Sequence, residues 1–353
     1  MGKSLKDIHV AVTGLLVMDN PYPGVGFARC LRHAPEFQGR ITGLVFETLT
    51  NGIFFPDLFD RIYLVPFPSA GEEALLQRLE EIHRRDPIDV IVPSLDSEVL
   101  LYAKLYERLK ALGIALLLPS LESVKSRGKN LLYEFGLQHQ IRVPRTVALN
   151  NVEEVQGRVG EIGTPFLLKA LLSDARICSS LEEGEIEYGR LFDIWGYPIL
   201  MQEYIFGDEF DVIGLMDRGS RWAGGLAMKK LGLTDKGKAS SGVSLENPEL
   251  LALTRSILEK LNWVGPAECE FLKEHRGGAY YLMEINSRFP AWLFLTAGSG
   301  FNLPLMSIRL ALDLPVKANG HYEVGRLFVR TVSESVIRNF ALMEFSATGE
   351  IKP

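Results

Sequence analysis

The sequence predicts an α/β domain followed by α+β lobes, for three reasons. Residues 1–119 alternate continuous apolar runs with helical stretches, the pattern of a parallel sheet buried on both faces. From Leu200 onward the apolar runs are separated by glycines, as antiparallel strands are. Between Glu268 and Arg288, two strand-like runs flank a polar loop of hairpin length that ends in two glycines.

In order along the chain, Ile8–Val12 reads as a strand ending at Gly14, and Gly24-Val-Gly26 opens a helix through Leu31. Arg40–Phe46 and Arg61–Val65 are the next strands. Glu72–Arg85 is a helix, with Ala74, Leu75, Leu79 and Ile82 recurring on one face. Asp89–Val92, a helix from Ser97 to Leu112 and the run Ile114–Leu118 complete the first set. The glycine loop after the first strand is not G-x-G-x-x-G, because Asn20-Pro-Tyr-Pro23 intervenes, which argues against a dinucleotide site.

Pro119 marks a boundary. A helix is expected over Leu121–Phe135, and Pro165–Lys169 is a strand that ends on a lysine. Leu200–Ile205, Phe210–Met216 and Trp222–Met228 are antiparallel candidates, with Gly207 and Gly219 in the turns. Leu231–Gly242 is rich in Gly, Lys and Ser, so it is expected to be a mobile loop. Helices follow over Pro248–Leu261 and Leu303–Leu312. In the tail from 321 to 353, Arg326 and Arg330 lie on an apparent strand and either meet a substrate carboxylate or serve the fold.

At 353 residues the chain exceeds what one compact core usually holds, so two or three lobes are expected. The net charge of −6 with no long basic run argues against nucleic acid as a partner. Cys30, Cys178 and Cys269 are too widely spaced for a disulfide framework or a zinc site, and suit a reducing cytoplasm. No signal-peptide core is evident, and the apolar runs are too short to span a bilayer, so no membrane partner is expected. The six histidines show no ligand spacing, and no Ser-His-Asp or Cys-His signature stands out.

The hairpin carries the chemistry. If residue 273 pairs with 279, then 268 faces 284, and Glu268, Glu270, Glu284 and Asn286 share one face. Crowded carboxylates repel unless a cation sits between them. Hard oxygen donors with no His or Cys suit Mg²⁺. The same spacing also fits an ordinary hairpin with a solvated acidic face.

Several further stretches occur in an order that resembles the ATP-grasp proteins, in the branch similar to the carbamoyl-phosphate synthase large subunit and the carboxylate–amine ligases. These are Val92-Pro-Ser-Leu-Asp-Ser-Glu98, Gly128-Lys129 before an amphipathic helix, Pro165-Phe-Leu-Leu-Lys169, Met201-Gln-Glu-Tyr-Ile-Phe-Gly-Asp-Glu209, Glu270, and Glu284-Ile-Asn-Ser-Arg288. The resemblance spans about residues 8 to 315. It implies an N-terminal parallel-sheet pre-ATP-grasp domain (1–119), a small ATP-grasp lobe (120–200) and a large lobe with the metal-binding hairpin (201–353). By the same resemblance, Lys129 and Lys169 would contact the α- and β-phosphates of ATP. The Glu203 carbonyl and Ile205 N–H would hold adenine, with Gln202 beside them, and Glu209 the ribose. Glu270, Glu284 and Asn286 would bind one or two Mg²⁺ ions, with Mn²⁺ as a substitute, and Glu268 would stand behind them. Arg288 would face the transferred phosphoryl group or the acyl phosphate.

The chain departs from the family after its second lysine. Ala170-Leu-Leu-Ser-Asp-Ala-Arg176 stands where a glycine-rich flap is usual, leaving Ser173, Arg176 or backbone amides as substitutes. The activity implied is an ADP-forming ligase that joins a small-molecule or peptide carboxylate to an amine through an acyl phosphate, in a monomer or a homodimer. A carboxylate kinase, a carboxylase and a non-catalytic ATP-binding module are the rival expectations.

Overall fold

A computed structural model describes residues 4–18, 21–55, 57–171, 174–234, 237–317, 320–331, 334–336 and 339–352. The strands are β1 (His9–Val12), β2 (Arg40–Val45), β3 (Arg61–Leu64), β4 (Val90–Val92), β5 (Thr146–Leu149), β6 (Phe166–Ala170), β7 (Ala175–Cys178), β8 (Ile199–Glu203), β9 (Gly207–Met216), β10 (Trp222–Leu233), β11 (Ala239–Leu245), β12 (Gly265–Glu274), β13 (Tyr280–Asn286), β14 (Leu327–Val329) and β15 (Glu350–Ile351). They form sheets of order β15-β3-β2-β1-β4, β5-β8-β6-β7 and β13-β12-β9-β10-β11-β14. The fold is mixed α/β, with one mainly parallel sheet and antiparallel ladders elsewhere.

The chain groups into two compact units. One comprises Met1–Val124, Val212–Glu268 and Asn286–Pro353; the other comprises Lys125–Asp211 and Cys269–Ile285. Both units are assembled from separated stretches of chain.

In the first unit, β1 to β4 are parallel, and β1 lies between β2 and β4. The chain therefore reverses its direction of travel across the sheet between β1 and β4, and their carboxyl ends form the switch point where open α/β sheets usually bind ligands. The helix Glu72–Arg85 buries Leu75, Leu76, Leu79 and Ile82 against this sheet. Each such side chain contributes about 1.5–3 kcal/mol of apolar transfer. Glu72 and Glu73 in its first turn and His83, Arg84 and Arg85 in its last complement the helix dipole. At the opposite end of the strands, His9 is buried, with ring nitrogens 2.7 Å from the Pro87 carbonyl and 2.7 Å from Thr42 Oγ1. The tail packs as well: Phe345 enters the core, and β15 runs antiparallel to β3, covering its edge.

Four expected elements differ. Ile114–Leu118 contributes only a single parallel bridge, Ala115 to Val90, although Ile114, Leu116 and Leu117 are buried as expected. The expected helix Ser97–Leu112 is two helices, Asp96–Lys104 and Tyr106–Ala111. The expected helix Leu121–Phe135 splits into Leu121–Ser126 and Leu132–His139. Turn-forming Ser126-Arg-Gly-Lys-Asn130 intervenes, with bonds from the Gly128 N–H to the Lys125 carbonyl and from the Leu131 N–H to the Gly128 carbonyl.

The largest correction concerns Leu231–Gly242, expected as a mobile loop. It is a hairpin: β10 runs on to Leu233 and pairs with β11 through Lys230–Gly242, Gly232–Ser241 and Leu233–Ala239. Cross-strand pairing with β11, itself held by β14, overrides the weak strand preference of Gly, Lys and Ser. Asp235 and Lys236 lie outside the described residues.

In the second unit, the four-stranded sheet packs the alternate residues Phe166, Leu168 and Ala170 of β6 inward. Gly184 sits where a Cβ would stand 2.6 Å from the Phe166 ring, so the helix Leu181–Trp195 needs glycine there to lie against the sheet.

Glu98 offers a test of the first unit. It is buried at the start of the helix Asp96–Lys104, bonded to Thr13 Oγ1 and accepting from the N–H groups of Ser94 (3.3 Å) and Leu95 (3.1 Å). Burial pushes its carboxyl up to about 7. A carboxyl raised in the folded state stabilises the fold fully below its unfolded value, and that contribution is lost as pH rises through 7. Wild type is therefore expected to lose about 2–3 kcal/mol between about pH 5 and 8, relative to Glu98→Gln. Parallel stability curves for the two proteins over that range would contradict the assignment.

Candidate active site

The second unit gathers five of the expected residues. β6 alternates, so Lys169 projects from the face opposite Phe166 and Leu168. It is partly buried, and desolvation lowers its ammonium to about 8. The neighbouring charge of Lys129 adds to that shift, while Glu284, Glu270 and Glu209 oppose it. Lys129, presented by the turn that splits the expected helix, lies 3.3 Å from Glu284. Lys129 and three carboxylates thus all act on Lys169, and Lys129 also pairs with one of them.

The adenine candidates share that sheet. In the β6–β8 ladder, Leu167 pairs with Gln202 and Lys169 with Leu200, so Gln202 and Lys169 are on one face. The Gln202 Nε2 donates to Thr146 Oγ1 (2.8 Å), while its buried Oε1 has no hydrogen-bond partner among the described residues. A buried carbonyl oxygen without a donor is costly, and the exocyclic amine of adenine would satisfy it. Glu203 ends β8, its N–H bonded to the Arg145 carbonyl at 2.8 Å, and Ile205 follows as a buried residue.

The hairpin register corrects an expectation. The Glu274 N–H bonds to the Ala279 carbonyl at 2.9 Å, so 274 rather than 273 stands opposite 279. Burial alternation in β13 also breaks at Met283 and Glu284, both partly exposed and followed by buried Ile285 and Asn286. Strict two-residue alternation therefore does not set this face. Among the described residues, no group of three or more His, Cys, Asp or Glu side chains converges as a preformed metal cage. Two carboxylates and an amide fall below that number, and Mg²⁺ ordinarily completes its shell with phosphate and water.

Asn286 and Arg288 belong to the first unit, in a network that sequence reasoning did not anticipate. Arg288 Nε donates to Asp96 Oδ2 (3.1 Å), and Nη1 donates to Glu268 Oε2 (3.0 Å). The same Glu268 oxygen accepts from Asn286 Nδ2 (3.0 Å), and Oε1 accepts from Trp292 Nε1 (2.9 Å). Asp96 Oδ1 accepts from the Ser287 N–H (3.0 Å) and hydroxyl (2.9 Å). Arg288 and Glu268 side chains are only 12% and 6% exposed, so removing one partner would strand a nearly dry charge. Asp96 was visible only as part of a motif. Its role depends on a contact 192 residues away along the chain.

Arg176 does not replace the missing glycine flap. It pairs with Leu168 in register, on the face opposite Lys169, and lies 3.8 Å from both Asp174 and Glu187. Ser173 lies outside the described residues. Arg326 forms an exposed ion pair with Glu323. Arg330 is partly buried, stacks 5.2 Å from the Phe328 ring and has a buried Nε without a hydrogen-bond partner among the described residues. Burial lowers its guanidinium, and its Nη2 donates to the Ala239 carbonyl (3.4 Å).

No family model and no curated protein matches the chain. Solved structures do. The chain is similar to a biotin carboxylase–β-γ-ATP complex from Campylobacter jejuni, at 16% identity over 92% of this chain and 75% of that one, with a TM-score of 0.70. A second is the biotin carboxylase domain dimer of Hydrogenobacter thermophilus 2-oxoglutarate carboxylase, in complex with MgADP, ADP and bicarbonate (17% identity, 90% and 72% covered, TM-score 0.67). A third is the L-amino acid ligase from Bacillus licheniformis (15% identity, 87% and 75% covered, TM-score 0.64). At these identities the likeness concerns the backbone alone, and it establishes that this chain has the ATP-grasp fold.

Proposed function

We propose that the chain is an ATP- and Mg²⁺-dependent ligase that joins a carboxylate to an amine through an acyl phosphate. The observation that carries the reading is the pair Lys129 and Lys169 set among Glu209, Glu270 and Glu284. An ordinary surface has no reason to bring a desolvated ammonium beside another cation. A polyphosphate anion resolves that repulsion, and its divalent cation resolves the crowding of the carboxylates. The all-oxygen donor set suits Mg²⁺, with Mn²⁺ as a substitute.

In this reading Lys129 and Lys169 hold phosphate oxygens as point charges. Gln202, Glu203 and Ile205 receive adenine, and Glu209 accepts from the ribose hydroxyls. Glu270, Glu284 and Asn286, which closes β13, would hold the cation, whose role is to neutralise charge on the β- and γ-phosphates. The substrate carboxylate attacks the γ-phosphorus in line, the bond to ADP breaks, and an acyl phosphate forms. An amine nitrogen then attacks the acyl carbon, loses a proton and expels phosphate. Arg288, two residues beyond Asn286 in sequence, is assigned the transferred phosphoryl group, where a planar guanidinium fits two oxygens. Arg330, a partly buried cation whose Nε has no hydrogen-bond partner among the described residues, is assigned a substrate carboxylate. No helix among the described residues is long and apolar enough to cross a membrane. We further propose a cytoplasmic homodimer, consistent with three buried cysteines that form no disulfide and with the dimer described for the Hydrogenobacter domain. The substrate screen that tests the reading pairs amino acids and short peptides, and reads phosphate release together with product mass.

Two variants probe the site. Lys169→Ala is expected to weaken binding of Mg-ATP by about 1.5–3 kcal/mol, through loss of a charge-assisted contact. Calorimetry measures this, and unchanged affinity in a folded variant would remove Lys169 from the site. Glu284→Gln is expected to lower turnover about 10²–10³-fold, the usual loss for a preorganised charged group. Because Glu284 pairs with Lys129 where both side chains are about a quarter exposed, ligand-free stability should change by less than about 1 kcal/mol. Early melting without ligand would make the carboxylate structural, and surviving turnover at ordinary Mg²⁺ would place the cation elsewhere.

A further inference from the structure

We propose that Glu268 and Asp96 are positioning residues that preset Arg288 and Asn286 without touching the reacting atoms. The assignment to catalysis rests on the ligase reading; the clamp itself rests on geometry. An arginine side chain has four rotatable bonds, and a guanidinium that waits for substrate in several rotamers loses most of its value. Here two carboxylates from remote stretches fix it, Asp96 at Nε and Glu268 at Nη1. Asp96 in turn is held by the Ser287 N–H and hydroxyl, so the residue before Arg288 is tied to the same carboxylate.

Glu268 does more than neutralise. Its two oxygens accept from three side chains, those of Arg288, Asn286 and Trp292. Committing Asn286 Nδ2 to Glu268 decides which way the amide faces and directs its oxygen away from Glu268. The oxygen is the end that a hard cation takes. Trp292 fixes the carboxylate rotamer through its indole N–H. Glutamine at 268 would keep the size but place an NH₂ group against one of three donors, and one arm of the network must open. Supporting contacts of this kind typically change metal affinity or activity 10–100-fold.

The test has two arms. In the first, ATP turnover is measured for wild type, Glu268→Gln, Arg288→Lys and the double variant. Each single variant is expected to lose about 10–100-fold in kcat, and the double variant to lose clearly less than the product of the two single losses, because only the part of Glu268 that acts through Asn286 remains to be lost. Losses that multiply in full would overturn the proposal, because they would mean that no part of the Glu268 effect passes through Arg288. In the second arm, the side-chain Nε–H resonance of Arg288 is followed by ¹⁵N NMR without ligand, assigned by its disappearance in Arg288→Lys. It is expected to shift and exchange faster with water in both Glu268→Gln and Asp96→Asn; an unmoved signal in either would overturn the clamp. If Glu268→Gln does not fold, Asp96→Asn, whose side chain is 32% exposed, carries both arms. Wild type that turns over nothing would overturn the ligase reading instead, and the resonance then decides the clamp alone.

Discussion

Repulsion between like charges is the constraint on which the site depends. Lys169 loses hydration on β6 and meets Lys129 as a second cation, while Glu209, Glu270 and Glu284 offset them. The carboxylates raise the Lys169 ammonium where burial and Lys129 lower it. The arrangement holds together unliganded because each set answers the other, as the 3.3 Å contact between Lys129 and Glu284 shows. In the proposed reading, a Mg-bound polyphosphate would replace both sets of partners at once. The secondary structure serves this arrangement. Strand alternation turns Lys169 away from the packed helices, and the broken helix around Gly128 presents Lys129 from a turn.

The first unit solves a different problem, that of holding buried polar groups without strain. The strand order β3-β2-β1-β4 opens a switch point after Val12 and Val92. There Thr13 and the N–H groups of Ser94 and Leu95 gather on Glu98, while Asp96 leaves the same turn to take Ser287 and Arg288. One short stretch thus caps a helix and anchors the residues that follow β13.

Local patterns made most of the fold legible in advance. Continuous apolar strands placed the parallel sheet, the periodicity of Glu72–Arg85 matched the helix to the residue, and Lys169 stood out as a lysine ending an apolar strand. What failed was set by partners remote in sequence. Composition made Leu231–Gly242 look like a loop, but β11 supplied the pairing that composition could not. The hairpin register slipped by one because the turn closes at Glu274, and a break in alternation at Met283–Glu284 then mattered more than the slip. Asp96 and Trp292 were silent for the same reason: their meaning lies in Glu268 and Arg288, which the sequence alone does not bring to them.

The account stands or falls on whether the substrate's own carboxylate is phosphorylated. Turnover with a carboxylate substrate labelled with ¹⁸O on both oxygens, followed by mass analysis of the released phosphate, tests this directly. Transfer through an acyl phosphate leaves one substrate oxygen on each phosphate, so one ¹⁸O per phosphate is predicted. Unlabelled phosphate formed in step with product would show that water or another oxygen attacks ATP, and would contradict the central claim.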